Sequence, residues 1–205
     1  MWTGTETEIE LFLIRHGKTR SNVEHRYLGV TDEGLLDEEM MWLKEQKKIK
    51  RYPACDHVFT SPLLRCRQTA RLLYPDQEAV CIQEWKEIDF GTFEGKTYKE
   101  LSEDPDYQKW IDSNGTLPFP KGESREKFME RSKKGFLKML EILLKENKKK
   151  LKAAAIVHGG TIMTLCSFFT GGEYFDYQVK NREGYRCVLV YKGNNIKMKE
   201  LERLR

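Results

Sequence analysis

The sequence contains no cysteine pair at the C-x-x-C spacing that redox motifs and zinc knuckles use. Its five cysteines are odd in number and scattered along the chain, so they predict neither a disulfide framework nor a structural zinc site. Reduced and mostly buried thiols are the expectation instead, and they favour a cytoplasmic protein. The cysteines concerned are Cys55, Cys66, Cys81, Cys166 and Cys187.

Long apolar runs, internal repeats and low-complexity linkers are also lacking. Apolar runs such as Ala153 to Val157 are far shorter than the ~20 residues that a membrane-spanning helix requires. The segment from Met1 to Glu10 is polar and acidic, unlike a secretory signal. We therefore expect no membrane partner and a single domain over residues 1–205.

Charge of one sign does not dominate either. Thirty-six Lys and Arg residues face 32 Asp and Glu residues, and the formal net charge is +4. This balance gives no support to nucleic acid as a partner. The densest basic run, at residues 145–152, is typical of a solvated helix end, where lysines suit the helix dipole.

Short apolar segments alternate with amphipathic ones along the rest of the chain. The predicted strands are 9–14, 57–60, 79–82, 153–157, 186–191 and 196–202, the last two joined by a turn at Gly193-Asn194-Asn195. The predicted helices are 37–50, 61–74 with Ser61 as cap and Pro62 in the first turn, 123–150, and 161–169. This order predicts an α/β fold, a mostly parallel sheet with helices on both faces.

Residues 84–122 break the alternation. Glycines and prolines interrupt this stretch, and Asp104-x-Asp106 within it is typical of a turn. We expect an irregular insertion that lies over the functional site. Its aromatic residues suit packing better than ligand stacking.

Two of the four histidines follow predicted strands directly and precede a glycine. They are His16 and His158, and the carboxyl ends of parallel strands are where ligands bind in such sheets. Arg15 adds a fork of donors that suits phosphate oxygens, and Gly17 permits close approach of a ligand to the backbone. A neutral imidazole is a competent nucleophile when an acceptor, expected to be a backbone carbonyl, holds its second nitrogen as N–H.

Four ordered segments between residues 11 and 162 carry a family resemblance. They are residues 13–22, which include Arg15-His16-Gly17 and Asn22; residues 60–70, which include Ser61-Pro62-Leu63-Leu64-Arg65; residues 87–95, which begin Glu87-Ile88-Asp89-Phe90-Gly91; and Val157-His158-Gly159-Gly160. Their order and content resemble the histidine phosphatase superfamily, also called phosphoglycerate mutase-like. The resemblance implies a phosphohistidine mechanism with no metal and no cofactor.

The same resemblance implies roles for individual residues. His16 becomes phosphorylated, Glu87 donates a proton to the leaving group, and Asn22 donates to a phosphate oxygen. Arg15, Arg65 and a protonated His158 form the charged pocket, and Gly159 lies against the phosphate. By position alone, Arg67 is an alternative to Arg65 as the phosphate-binding arginine. Likewise, the proton donor in place of Glu87 could be Glu84, Asp89 or Glu94.

The family holds both mutases and phosphatases. Its mutases carry a basic pair after the catalytic Glu, where this chain has Ile88 and Asp89, and they carry a long insertion with paired arginines that is absent here. These differences favour hydrolysis of a small phosphomonoester over a phosphoglycerate mutase activity. A non-catalytic phospholigand-binding module is a third alternative, against which the intact set of residues counts.

The third segment, together with Pro120-Lys121-Gly122-Glu123-Ser124, resembles the bacterial α-ribazole phosphatase and broad-specificity phosphatase branch. That branch implies α-ribazole 5'-phosphate or assorted small phosphates as substrates. The chain departs from the family pattern at Lys18, where an acid or amide is usual, and in residues 27–36. Both departures leave the substrate and the oligomeric state open.

Overall fold

Six strands form one mixed sheet in a computed structural model that describes residues 6–193 and 195–204. Their bounds are β1 Thr7–Arg15, β2 His57–Thr60, β3 Val80–Cys81, β4 Lys150–Val157, β5 Gly184–Lys192 and β6 Asn195–Leu204. The strand order is β3-β2-β4-β1-β5-β6. The first four strands of that order are parallel to one another, and β5 and β6 are antiparallel. The predicted mostly parallel α/β fold is confirmed.

Helices cover both faces of the sheet, because its central strands are apolar on both sides. Ile9, Leu11 and Leu13 of β1 pack in a cluster with residues of α5 and α6, while Phe12 and Ile14 face α2 and α3. The helices are α1 Arg20–Val23, α2 Asp37–Lys48, α3 Leu64–Leu73, α4 Pro105–Asp112, α5 Arg125–Leu144 and α6 Gly159–Thr170. Within the described residues no helix has the length and apolarity of a membrane span.

Two predicted helix bounds are wrong. Helix α3 begins at Leu64 with Leu63 as its cap, because the Ser61 amide continues the strand pairing by donating to the Ile156 carbonyl. Helix α5 ends at Leu144, not at residue 150. The lysine run beyond it enters β4, where Lys150 and Lys152 pair with Glu8 and Glu10 of β1.

The insertion at residues 84–122 is more regular than predicted. Asp104 is no isolated turn residue: its side chain caps α4 by accepting from the Asp106 and Tyr107 amides, with Pro105 as the first helical residue. The insertion shares a third apolar cluster with the start of α5, formed by Ile88, Phe93, Leu101, Tyr107, Phe119 and Phe128.

The antiparallel edge closes the sheet beside β1. Strands β5 and β6 pair up to Lys192 and Asn195, and Asn194 of the predicted turn lies outside the described residues. Four of the cysteines are buried and Cys81 is exposed. The topology brings the carboxyl ends of β1, β2 and β4 side by side, and this edge carries the candidate site.

Candidate active site

His16 lies directly after β1 with its side chain buried. Its Nδ1 is 2.7 Å from the Gly17 carbonyl, which can only accept, so Nδ1 carries the proton and Nε2 keeps a free lone pair. Burial and the nearby charges of Arg65 and Arg15 hold the pKa of His16 well below its ordinary value. The imidazole is therefore neutral at neutral pH, which is the form that attacks phosphorus.

Two guanidinium groups flank this ring, that of Arg65 buried and that of Arg15 half-buried. Arg65 is 0% exposed, and its Nη atoms donate to the Thr31 and Gly29 carbonyls at 2.8 Å each. Arg15 donates through Nη1 to the Val179 carbonyl at 2.7 Å. Neither Arg15 Nε nor Arg65 Nε has a hydrogen-bond partner in the part of the chain that the structure describes, although both atoms are buried. Buried unpaired donors are costly, so two of them beside one histidine indicate an anion site.

His158 faces His16 across a short gap. The two ring centroids are 5.2 Å apart in an edge-on arrangement, and His158 caps the start of α6. Its Nε2 lies 2.7 Å from the Ser61 hydroxyl and 3.5 Å from the Cys66 thiol. Burial, followed by the charge of Arg65, keeps the pKa of His158 well below its ordinary value, so the expected protonated histidine is neutral in the free protein.

Glu87 is a buried carboxyl at the same edge, held by the backbone. Its Oε1 accepts from the Ile88 amide at 3.0 Å, and its Oε2 accepts from the Gly160 amide of α6 at 3.3 Å. Burial raises the pKa of Glu87 against the opposing effect of these amides and of Arg65. A side chain on Gly160 would collide with Glu87 Oε1, so glycine is needed there. Glu84 pairs instead with Lys138 and Glu94 accepts from the Gly29 amide, so these rivals are engaged elsewhere.

Asn22 is fixed through its carbonyl oxygen. Oδ1 accepts from the Thr19 amide at 3.2 Å and from Asn181 Nδ2 at 2.9 Å, which leaves the Asn22 amide nitrogen free to donate. Asn181 Nδ2 also lies 3.1 Å from the His16 carbonyl and 3.3 Å from the Gly17 carbonyl. One amide thus ties Asn22 to the backbone of the loop that carries His16.

The structure therefore brings Arg15, His16, Arg65, Glu87 and His158 together, with Gly159 packed on the Arg15 guanidinium. Arg67 is exposed and lies near Asp32, away from this group. Sequence reasoning missed Asn181, which no local motif marks. It also assigned Ser61 as a helix cap, although that residue contacts His158. The region at residues 27–36, seen as a departure, supplies the carbonyls that hold Arg65.

Two cavities meet at Arg15. A cleft of about 890 Å³, here called the cationic cleft, is lined by Lys18, Asn22, His25, Arg26, Lys180 and Arg203 among others. A second cavity of about 440 Å³, here called the aromatic pocket, is lined by Tyr27, Glu87, Phe90, Trp110, Phe119, Arg125, Tyr174 and Phe175 among others. Glu87 lines the aromatic pocket and not the cleft, so a group that takes a proton from Glu87 occupies that side.

A metal centre finds no set of ligands here. Over residues 6–193 and 195–204, no three or more His, Cys, Asp or Glu side chains are grouped so that they could hold a metal ion. Besides the two histidines, the ionisable groups gathered at the site are Arg15, Arg65 and Glu87.

Solved structures with this fold include phosphatases and a phosphoglycerate mutase. The α-ribazole phosphatase from Shigella flexneri has a TM-score of 0.75 at 21% identity and covers 94% of this chain and 95% of its own, a likeness of fold alone. A mutant phosphoserine phosphatase from Entamoeba histolytica, in complex with phosphoserine, has a TM-score of 0.72 at 26% identity, with 94% and 96% covered. Phosphoglycerate mutase from Thermus thermophilus has a TM-score of 0.65 at 29% identity, with 96% and 98% covered.

The chain is shorter than some of its relatives, since it spans 38% of the length of the mycobacterial proteins that it matches. A family model, described as the histidine phosphatase superfamily (branch 1), matches residues 11–203. That match extends across the sheet and all the residues gathered at its edge, so the chain belongs to the histidine phosphatase superfamily.

Proposed function

We propose that the chain is a phosphomonoester hydrolase that works through a phosphohistidine at His16. The observation that carries the proposal is the pair of buried, unpaired Nε–H donors of Arg15 and Arg65 beside a neutral imidazole with a free Nε2. A phosphoryl group would satisfy both donors and present phosphorus to the nucleophile. Arg15, Asn22, Arg65, His158 and the Gly159 backbone form the binding set in this proposal.

The first step transfers the phosphoryl group to the enzyme. The Nε2 lone pair of His16 forms a bond to phosphorus as the ester P–O bond breaks. The leaving oxygen takes the proton of Glu87, whose raised pKa keeps a proton available for this purpose. Charge spread over the equatorial oxygens is met by the arginines, and the arriving anion favours protonation of His158.

The second step returns the enzyme to its starting state. Glu87, now ionised, accepts a proton from water as the water oxygen attacks phosphorus. The N–P bond breaks, its electron pair returns to His16 Nε2, and inorganic phosphate is released. One carboxyl serves both steps because the site presents the same face to the leaving alcohol and to the incoming water.

Hydrolysis is favoured over a mutase reaction by the residues that follow Glu87. Ile88 is buried, Asp89 accepts from the Gly91 amide within a turn, and Phe90 joins the aromatic pocket. None of these groups can hold the carboxylate of a phosphoglycerate in place for a second transfer. The segment at 84–122 supplies both Glu87 and the aromatic wall, which supports its role as the cover of the site.

The substrate is a small phosphorylated metabolite, with α-ribazole 5'-phosphate as a candidate because its base would suit an aromatic pocket. Action in the cytoplasm is part of the proposal and rests on the cysteine pattern.

Rapid acid trapping and alkaline trapping with a radiolabelled monoester test the mechanism. We expect a phosphoenzyme that is labile in acid and stable in alkali, and release of inorganic phosphate. The His16→Ala variant should form none. The matched control is His57→Ala, because His57 pairs with Glu146 away from the site and should leave labelling intact. An acid-resistant adduct, or labelling that survives in His16→Ala, would exclude the mechanism, and an isomerised product would identify a mutase.

A further inference from the structure

The aromatic pocket contains a cation that the proposed chemistry does not use. Arg125 is the first residue of α5, and its guanidinium carbon lies 5.6 Å from the Tyr174 ring centroid and 5.7 Å from the Phe175 ring centroid. Both rings line the same pocket as Glu87. Tyr174 connects the two groups, because its hydroxyl lies 3.4 Å from the carbonyl of Gly160, whose amide holds Glu87. Arg125 and the proposed proton donor therefore act on the same tyrosine and line the same pocket.

Stacking occupies the faces of a guanidinium and leaves its N–H edge free. Among the described residues, two of the three other stacked arginines complete that edge with a carboxylate. Arg131 lies over Phe128 at 4.7 Å and pairs with Glu123, and Arg182 lies over Trp42 at 4.0 Å and pairs with Glu39. In the described part of the chain, the Arg125 guanidinium forms its ring contacts with Tyr174 and Phe175 but no hydrogen bond or ion pair. Its edge is thus available to a ligand in the pocket.

The other residues that line the pocket determine the charge, polarity and size of the ligand that would fit it. Among the described lining residues, Glu87 carries the only carboxylate and Arg15 is the only cation besides Arg125. Tyr27, Phe90, Trp110 and Phe119 form mutual edge-on or tilted contacts and present an apolar wall. A volume of about 440 Å³ suits a leaving group of one or two rings.

Resting on the proposed function, we infer that Arg125 is a specificity-determining residue for phosphomonoesters whose alcohol part is planar and apolar and carries a second anionic group. The scissile phosphate lies among Arg15, His16, Arg65 and His158. The planar part fills the aromatic pocket beside Glu87, and the second anion accepts from the free edge of the Arg125 guanidinium. A neutral alcohol, α-ribazole included, leaves that edge unpaired and is discriminated against, so this inference ranks α-ribazole 5'-phosphate below an ester with a second anionic group.

Two aryl phosphates of matched shape test the inference. The charged substrate is 4-carboxyphenyl phosphate and the neutral one is 4-carbamoylphenyl phosphate. The readout is the ratio of their kcat/KM values, normalised to wild type so that intrinsic reactivity cancels. Arg125→Met keeps an apolar stem over the two rings and should lower the ratio about tenfold, while Arg125→Lys should retain part of it. The change should reside in KM.

Arg51→Met is the matched control. Arg51 is stacked on Trp42 at 5.6 Å, the same spacing, but lies outside both cavities. It should leave the ratio unchanged. If Arg125→Met lowers kcat/KM for both esters equally, the residue has a structural role and the inference is wrong.

Binding of non-hydrolysable analogues separates this inference from the hydrolase proposal. Calorimetry compares 4-(phosphonomethyl)benzoate with its amide on wild type and Arg125→Met. A preference of wild type for the benzoate that Arg125→Met loses supports the subsite even if neither ester is hydrolysed, an outcome that would overturn the hydrolase alone. Equal binding of benzoate and amide by wild type overturns the subsite, whatever the activity.

Discussion

The cationic cleft and the aromatic pocket share Arg15 as a wall but offer a ligand opposite environments. The cleft presents Lys18, Lys180 and Arg203, all three of which are exposed to water. The pocket presents aromatic rings and a buried carboxyl. Water screens charges in the cleft, whereas the pocket lowers the local dielectric and strengthens each interaction within it.

This difference assigns unequal tasks to the two sides. Burial raises the pKa of Glu87, so the proposed proton donor lies on the apolar side. Diffusional attraction of an anion needs only exposed positive charge, which the cleft supplies. Removing a group from the pocket should therefore lower kcat. Removing a charge from the cleft should lower kcat/KM through slower binding of the anionic substrate.

The largest expected effect comes from Glu87→Gln. The amide cannot give or take the transferred proton, so kcat should fall by roughly 10²–10⁴-fold, while phosphate-analogue affinity changes little. The wild-type kcat should fall as pH rises through the raised pKa of Glu87, because the protonated acid is lost, and the variant should lack this limb. Steady-state kinetics across pH checks both.

The Glu87→Gln variant, although less active, should be at least as stable as the wild type. A raised pKa means that the fold favours protonated Glu87, so this contribution is complete below about pH 4.5 and is lost as pH rises through the folded-state pKa. The neutral Gln variant should thus unfold at the same or a higher temperature at pH 8. Glu84→Gln, which alters the acid paired with Lys138, is the matched control and should keep kcat. Full activity in Glu87→Gln would show that Glu87 is not the proton donor. The assignment of the chemical step to the aromatic pocket would then be wrong as well.

An intermediate effect is expected from Asn181→Leu, on the cleft side of His16. The change removes donors to the His16 carbonyl, the Gly17 carbonyl and Asn22 Oδ1, so the nucleophile and Asn22 lose a common anchor. A displacement of about 1 Å costs on the order of 10²-fold in kcat. Because Asn181 acts through Asn22, adding Asn22→Ala should cost less than the sum of the two single effects. Strict additivity of the two would show that Asn181 does not position Asn22.

The smallest effect is expected from Lys18→Gln. An exposed charge is worth up to ~1 kcal/mol, so kcat/KM should fall by at most about fivefold. The loss should shrink as salt is added, and kcat should stay constant. Lys145→Gln, which alters an exposed pair with Glu141 at the end of α5, is the control and should show no salt-dependent change. A large, salt-independent loss in Lys18→Gln would mean that the cleft takes part in chemistry.

The sequence predicts much of this site because the strand-end positions of His16 and His158 follow from apolar runs that stop at His-Gly. The parallel topology then brings them within 5.2 Å. Asn181 could not be predicted in this way. It precedes β5, and its place beside His16 depends on the antiparallel pairing of β5 with β1 and on the Arg182 amide bonding to the Arg15 carbonyl. No local pattern encodes such a pairing.

Helix ends show where local signals compete. Asp104-Pro105 carries a cap and a first-turn proline that could have predicted α4, but the surrounding breakers obscured them. The lysine run after Leu144 fits a helix end on composition. Lys150 and Lys152 instead lie in β4, because Glu8 and Glu10 of β1 lie opposite them. This is a tertiary contact, which helix propensity cannot predict.

The clamp on Arg65 by the Gly29 and Thr31 carbonyls has a consequence for turnover. A guanidinium tied at both Nη atoms cannot swing aside when the ester bond has been cut. In the proposed hydrolysis, inorganic phosphate would meet the same Arg15 and Arg65 donors as the substrate, so we expect it to compete with fresh substrate. If the proposed hydrolysis holds, we expect this fixed guanidinium to make phosphate release, rather than bond cleavage, the step that limits turnover.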